Sequence, residues 1–152
     1  MIKNIEAAKQ LVRKYNDIHF SENRELEDID VNGGYYMNYG EYLQDMTKFN
    51  SWYCTLCIAT RNSQGKTECK SCIWSLIKNG SKDFKRVRVE SIAEDAPERY
   101  CINKNYDEVN DSIYLVQFKE ALGKRIDKLE QLIKKAKQLN KEEENENSII
   151  HS

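Results

Sequence analysis

Residues 52–74 read Trp52-Tyr53-Cys54-Thr55-Leu56-Cys57-Ile58-Ala59-Thr60-Arg61-Asn62-Ser63-Gln64-Gly65-Lys66-Thr67-Glu68-Cys69-Lys70-Ser71-Cys72-Ile73-Trp74. The four cysteines form C-x2-C-x11-C-x2-C. Each C-x-x-C pair lets a tight turn aim two thiolates at one metal ion, and two pairs complete the tetrahedron that a structural Zn2+ prefers. We expect one structural zinc on Cys54, Cys57, Cys69 and Cys72. Two disulfides, or a dithiol redox pair, are the competing readings. A fifth cysteine, Cys101, makes the count odd in a chain that shows no secretion signal, which disfavours a disulfide framework. A redox C-x-x-C belongs in a βαβ context, which the pattern here does not offer. Four thiolates fill the coordination sphere of Zn2+ and leave no position for water, so such a site holds structure rather than hydrolysing anything.

Cys101 lies 29 residues after Cys72. Four roles are open to it: a substitute ligand, a ligand with His19 for a second ion, a redox thiol, and a buried free thiol. The last is favoured, because free Cys behaves as a small hydrophobe.

On the N-terminal side of the cysteines, Ile2, Ile5, Ala8, Leu11, Val12, Tyr15 and Ile18 recur in steps of three and four, which predicts an amphipathic helix within residues 2–20. Residues 22–30 are acidic, and Asn32-Gly33-Gly34 marks a hairpin turn over 29–35. From Tyr39 the aromatic spacing suits a helix ending near Asn50. Between the cysteine pairs, Asn62-Ser63-Gln64-Gly65 supplies the turn of a small hairpin over 58–68. After Cys72, the residues Ile73, Leu76 and Ile77 stand at helical spacing, with Asn79-Gly80 as a stop. A second cysteine pair feeding a helix points to a treble-clef-like module. Lys85 to Glu90 alternates charge with Val and reads as a strand. From Tyr106 to Leu139 the pattern is helical again, with Leu115, Leu122, Leu129 and Ala136 seven apart and Ile126 and Ile133 between them. Gly123 and Lys119 interrupt that seam.

The quoted motif, together with Cys101 and the following Tyr106, resembles a diffuse group of small phage-encoded zinc-knuckle proteins over about residues 50–135. Their pattern is Cys-x-Leu-Cys, Cys-x-x-Cys, a later Cys and Tyr, then an amphipathic helix. This chain departs from it where Ile73 stands in place of Pro. The resemblance implies a phage or mobile-element setting more than an activity. The bias of 17 Lys over 7 Arg, and 14 Asn, also suits an AT-rich genome.

The expected architecture is mainly helical α+β. A helical part at 1–50 and a long helix at 105–140 would pack around a zinc module at 51–104, and 141–152 would be a polar, disordered tail. No apolar run approaches the length needed to cross a bilayer. The expectation is a protein without membrane association, in the cytoplasm of a bacterial host.

Charge narrows the function classes. The chain has 24 Lys and Arg against 25 Asp and Glu, a net charge of −1, which excludes a uniformly basic nucleic-acid coat. The local excess from Arg61 to Arg88 is +6, and a zinc tetrathiolate of charge −2 would leave +4. Lys70, Lys82, Lys85, Arg86 and Arg88 would grip phosphates in a nucleic-acid-binding module, with Trp52, Tyr53 and Trp74 available for base stacking. The plainer reading is that these bases solubilise a small zinc module and the aromatics fill its core. A second basic set on the last helix, Lys124, Arg125, Lys128, Lys134 and Lys135, looks like an ordinary exposed face.

Other motifs fall away. Asp28-x-Asp30-x-Asn32-Gly33 opens like a calcium loop, but Tyr39 stands where the bidentate carboxylate is required. Gly65-Lys66-Thr67 lacks the earlier glycine of a phosphate loop, since Thr60 occupies that place. Neither the His-x-Glu of a zinc deaminase nor His-Glu-x-x-His is present, and His19 and His151 are the only histidines. The leading expectation is therefore a non-enzymatic, zinc-stabilised binding protein that occupies a surface on a host protein, a transcription or defence component. The C-terminal seam would pair with that partner or with a second copy as a homodimer.

Overall fold

The computed structural model describes residues 1–20, 38–48, 54–77 and 100–151, with side chains up to residue 146. The described residues are mainly helical. Helix α1 spans Ile5–His19, α2 Tyr39–Thr47, α3 Thr55–Ala59, α4 Lys104–Asn110 and α5 Leu115–His151. Two 3-10 turns, Cys69–Ser71 and Ile73–Leu76, lie between α3 and α4. The expected strand at 85–90 and the hairpin at 29–35 fall outside the described residues. Among those described, the only β pairing is an isolated antiparallel bridge between Arg61 and Thr67. The expected sheet component is thus reduced to one bridge within this part of the chain.

Helix α1 buries Ala8, Leu11, Val12, Tyr15 and Ile18, the stripe read from the spacing. It lies against α5. Helix α5 buries Phe118, Ala121, Leu122, Ile126, Leu129, Leu132, Ile133 and Ala136. Leu122, Leu129 and Ala136 of the heptad seam are fully enclosed by the protein's own core. That corrects the expectation that this seam pairs with a partner or a second copy: α1, α4 and the second 3-10 turn already cover it. Lys119 does not sit at the seam's centre, because Phe118 takes that place.

The single helix expected over 105–140 is two. Asn110-Asp111-Ser112 breaks it: the Ser112 hydroxyl donates to the Glu108 carbonyl at 2.6 Å, a local bond that competes with helix continuation. Gln117 Oε1 then accepts from the backbone N–H of Ile113 and Tyr114, serving donors at the entry to α5. Helix α5 has 37 residues and runs on through 141–151, where composition alone marks a disordered tail. Its Glu- and Lys-rich end extends an already nucleated helix, and both residues are good helix formers.

Asn38 caps α2 by accepting from Glu41 N–H at 2.8 Å, and Asn103 caps α4 by accepting from Tyr106 N–H at 3.0 Å. Gly40 lets α2 approach α4 closely. A Cβ there would collide with Asn110 Oδ1 and lie 3.2 Å from Asn110 Cα. The N-terminal residues cross the helical layer. Ile2 N–H donates to Asn140 Oδ1 at 3.0 Å, Asn140 Nδ2 donates back to Ile2 O at 2.9 Å, and Lys3 N–H donates to Ser71 O at 2.9 Å.

Candidate metal centre

Cys54 immediately precedes α3, and its carbonyl accepts from Ile58 N–H at 3.0 Å. The first pair therefore opens into one short helical turn, and the Thr60 hydroxyl closes it on the Cys57 carbonyl at 2.9 Å. The chain then turns back. Asn62 Oδ1 accepts from the N–H of Gln64 and Lys66, and Gly65 adopts φ +77°, a left-handed conformation that glycine takes without a Cβ penalty. The turn residues lie where the sequence places them, with one bridge in place of a hairpin ladder.

The second pair sits on the 3-10 turn Cys69–Ser71, with Cys72 N–H donating to Cys69 O at 3.1 Å. Of the helix expected after Cys72, the described residues form a 3-10 turn, Ile73–Leu76, and the expected stop at Asn79-Gly80 lies outside them. Ser75 Oγ donates to the Cys72 carbonyl at 2.6 Å, and Ile73 and Trp74 insert into the core. Among the described residues the α-helical turn thus starts within the first cysteine pair, and the second pair is followed by a 3-10 turn, unlike the treble-clef order.

All five cysteines, Cys54, Cys57, Cys69, Cys72 and Cys101, line one cavity of about 20 Å3. That volume holds about one water-sized sphere. All five are free thiols. Among the described residues no three His, Cys, Asp or Glu side chains stand in a metal-holding group, so the sulfurs wall the cavity without converging on one point. The donor set is nevertheless uniform and soft: four sulfurs from two C-x-x-C turns, which suits Zn2+. Burial pushes the Cys72 thiol far above its ordinary value, and neighbouring Cys101 and Cys57 push the same way. An N–H from Asn4 opposes them.

Asn4 was not visible as a site residue. It occupies the position before α1, where Asn ordinarily caps its own helix, yet it makes no such cap. Its amide turns to the cysteines instead. Nδ2 donates to Cys72 Sγ and to Leu56 O, both at 3.2 Å, and Oδ1 accepts from Ile73 N–H at 2.9 Å. One side chain thereby ties both halves of the cysteine module to α1.

Arg125, which the sequence reading set on an exposed basic face, is misplaced there. It is 1% exposed and belongs to the cavity wall, not to an outer basic face. Its guanidinium lies over the Trp74 ring, 4.4 Å from the centroid. Trp74 is itself 1% exposed, which corrects its assignment as a base-stacking platform, since stacking needs an open ring face. Lys70 is exposed on the second knuckle. Lys82, Lys85, Arg86 and Arg88 fall outside the described residues, as do Trp52 and Tyr53.

Cys101 joins the other four, half-buried, at the same cavity. His19 does not line it. It lies at the end of α1, edge-on to Phe20 at 4.7 Å, with Nε2 against Gly123. The pairing of Cys101 with His19 at a second ion therefore loses its geometric basis. Gly123, which weakens α5 by propensity, leaves the space that His19 fills.

No family model, characterised protein or solved structure matches this chain. No helix among the described residues is long and apolar enough to cross a membrane.

Proposed function

We propose that this chain is a non-enzymatic, zinc-stabilised binding protein of phage or mobile-element type, which occupies a surface on a host protein. One Zn2+ would be held by Cys54, Cys57, Cys69 and Cys72. The observation that carries the metal reading is that both cysteine pairs line the wall of one cavity, after a chain reversal that has little apolar content of its own. A metal ion would supply the cross-link that this short segment lacks, and its binding energy would be folding energy. Cys101 at the same wall is a reserve thiol and a substitute ligand.

A protein partner is supported by what the described surface exposes. Ile113, Tyr114 and Val116 stand together between α4 and the first turn of α5, at 71%, 61% and 77% exposure. A bulky apolar trio at a helix–helix corner is a feature of interaction surfaces. The nucleic-acid reading keeps Lys70 and the bases at 82–88 but loses Trp74.

The test is a tagged pull-down from bacterial lysate with nuclease treatment, read by mass spectrometry, with metal content measured on the same sample. The expected result is one stoichiometric protein partner and about one zinc per chain, with the partner lost on changing Ile113 and Val116 together to Asp. Loss of all partners after nuclease treatment, with binding that weakens steeply in salt, would favour the nucleic-acid module. Absence of zinc would return the cysteines to redox chemistry.

A further inference from the structure

Arg125 stands three residues after Leu122 and four before Leu129, both fully buried, so helix geometry turns it into the core. Its Nε donates to the Tyr15 hydroxyl at 3.4 Å, and Nη1 donates to Asn105 Oδ1 at 3.3 Å. The Trp74 ring lies against the guanidinium face. Contacts from three separate elements thus fix the plane of this cation at the wall of the cysteine cavity. Burying a guanidinium is costly unless opposite charge shares its low-dielectric surroundings. Four thiolates on one Zn2+ would carry a net charge of −2 in that same cavity.

We infer that Arg125 is the internal counter-charge of the metal centre, a positioning residue that stabilises the anionic zinc–tetrathiolate across the cavity while Asn4 donates to Cys72. The inference rests on the zinc reading. Neither residue is a ligand. Arg125 acts by its charge, and its contacts with Tyr15, Asn105 and Trp74 serve to hold that charge in place. Tyr15, which accepts from Arg125 Nε, lines the same cavity as the cysteines.

The experiment uses the full chain and measures zinc affinity by competition with a chromophoric chelator, with the Co2+-substituted visible spectrum as a record of the ligand set. Arg125→Met is expected to weaken zinc binding about 10- to 100-fold, the usual span for an outer-shell partner. Arg125→Lys is expected to recover most of that loss, because it keeps the charge while giving up the planar contacts. The Co2+ spectrum should remain that of four sulfurs throughout. Leu129→Ala serves as the folding control. If it weakens zinc binding as much as Arg125→Met does, or if Arg125→Lys binds no better than Arg125→Met, the role is packing and the inference is overturned. Should Arg125→Met precipitate, Arg125→Gln replaces it as the uncharged variant. A wild-type chain that takes up no zinc refutes the zinc reading itself, whereas wild-type binding unchanged in the uncharged variants refutes this inference alone.

Discussion

Replacing Asn4 by Ala should unfasten the cysteine module from α1. The side chain is 1% exposed and makes three hydrogen bonds, to Leu56 O, Cys72 Sγ and Ile73 N–H. Truncation leaves a buried backbone N–H, a buried carbonyl and a buried sulfur without this partner. An orphaned buried polar group costs about 1–3 kcal/mol. The Leu56 carbonyl has a second lone pair, and a sulfur acceptor is weak, so the Ile73 N–H dominates. The expected total is about 2–4 kcal/mol, adding the orphaned donor to two weaker losses. For a chain of this length that is a fall in Tm of very roughly 5–15 °C. The assay is urea unfolding of the zinc-loaded protein, with wild type and variant compared at equal metal. Asn4→Asp refines it. The carboxylate still accepts from Ile73 N–H but offers no N–H to Cys72 and adds negative charge beside the thiolates. It should therefore unfold at lower urea than wild type and bind zinc more weakly than Asn4→Ala. A stability loss below about 0.5 kcal/mol in Asn4→Ala, within the range of ordinary surface changes, would refute this account of the residue.

Other outcomes follow from the packing. Gly40→Ala forces a Cβ against Asn110 and should cost about 1–3 kcal/mol by separating α2 from α4, measurable as a lower urea midpoint with an unchanged slope. Leu129→Ala empties a fully buried site on α5 and should cost about 2–5 kcal/mol; a cost near zero would mean that α5 does not pack here. The Lys3 ammonium, 2.9 Å away, holds the Glu68 carboxyl below its ordinary value. A depressed carboxylate stabilises the fold above its unfolded pKa and loses that contribution as pH falls through the folded one. Carboxylate NMR should find Glu68 titrating low in wild type and returning toward the ordinary range in Lys3→Met. Cys101→Ser should retain about one zinc per chain; loss of the metal would make Cys101 an obligatory ligand.

Periodicity carried much of the helical framework. The α1 stripe, the start of α2 at Tyr39 and the inward run of Leu122, Ile126, Leu129, Ile133 and Ala136 were all readable from spacing, because an apolar face must be covered. What covers it was not readable. The same seam serves a coiled coil or an intramolecular groove, and only the placement of α1 distinguishes them. The break at Asn110-Asp111-Ser112 did carry a local signal, three residues that hydrogen-bond their own backbone, but the flanking helical pattern masked it. Arg125 also carried one. It shares a helix face with Leu122 and Leu129, yet its charge and its basic neighbours read as solvent exposure. Asn4 drew no reading at all, since nothing local tells a side chain to serve partners 68 and 69 residues away. The cysteine spacing brought all four thiols to one cavity's wall, while the arrival of Cys101 there depends on tertiary packing.

The pairing of α1 with α5 has a consequence for how the chain is made. Tyr15 meets Arg125 across 110 residues of sequence, and Ile2 meets Asn140 across 138. At a synthesis rate of about 5–20 residues per second, the apolar stripe of α1 waits roughly 5–30 s for the helix that covers it. Both cysteine pairs leave the ribosome well before that. The nascent chain thus presents thiols and a greasy helix face together, ahead of the segment that shields them, and metal capture before α5 emerges would set the order of assembly.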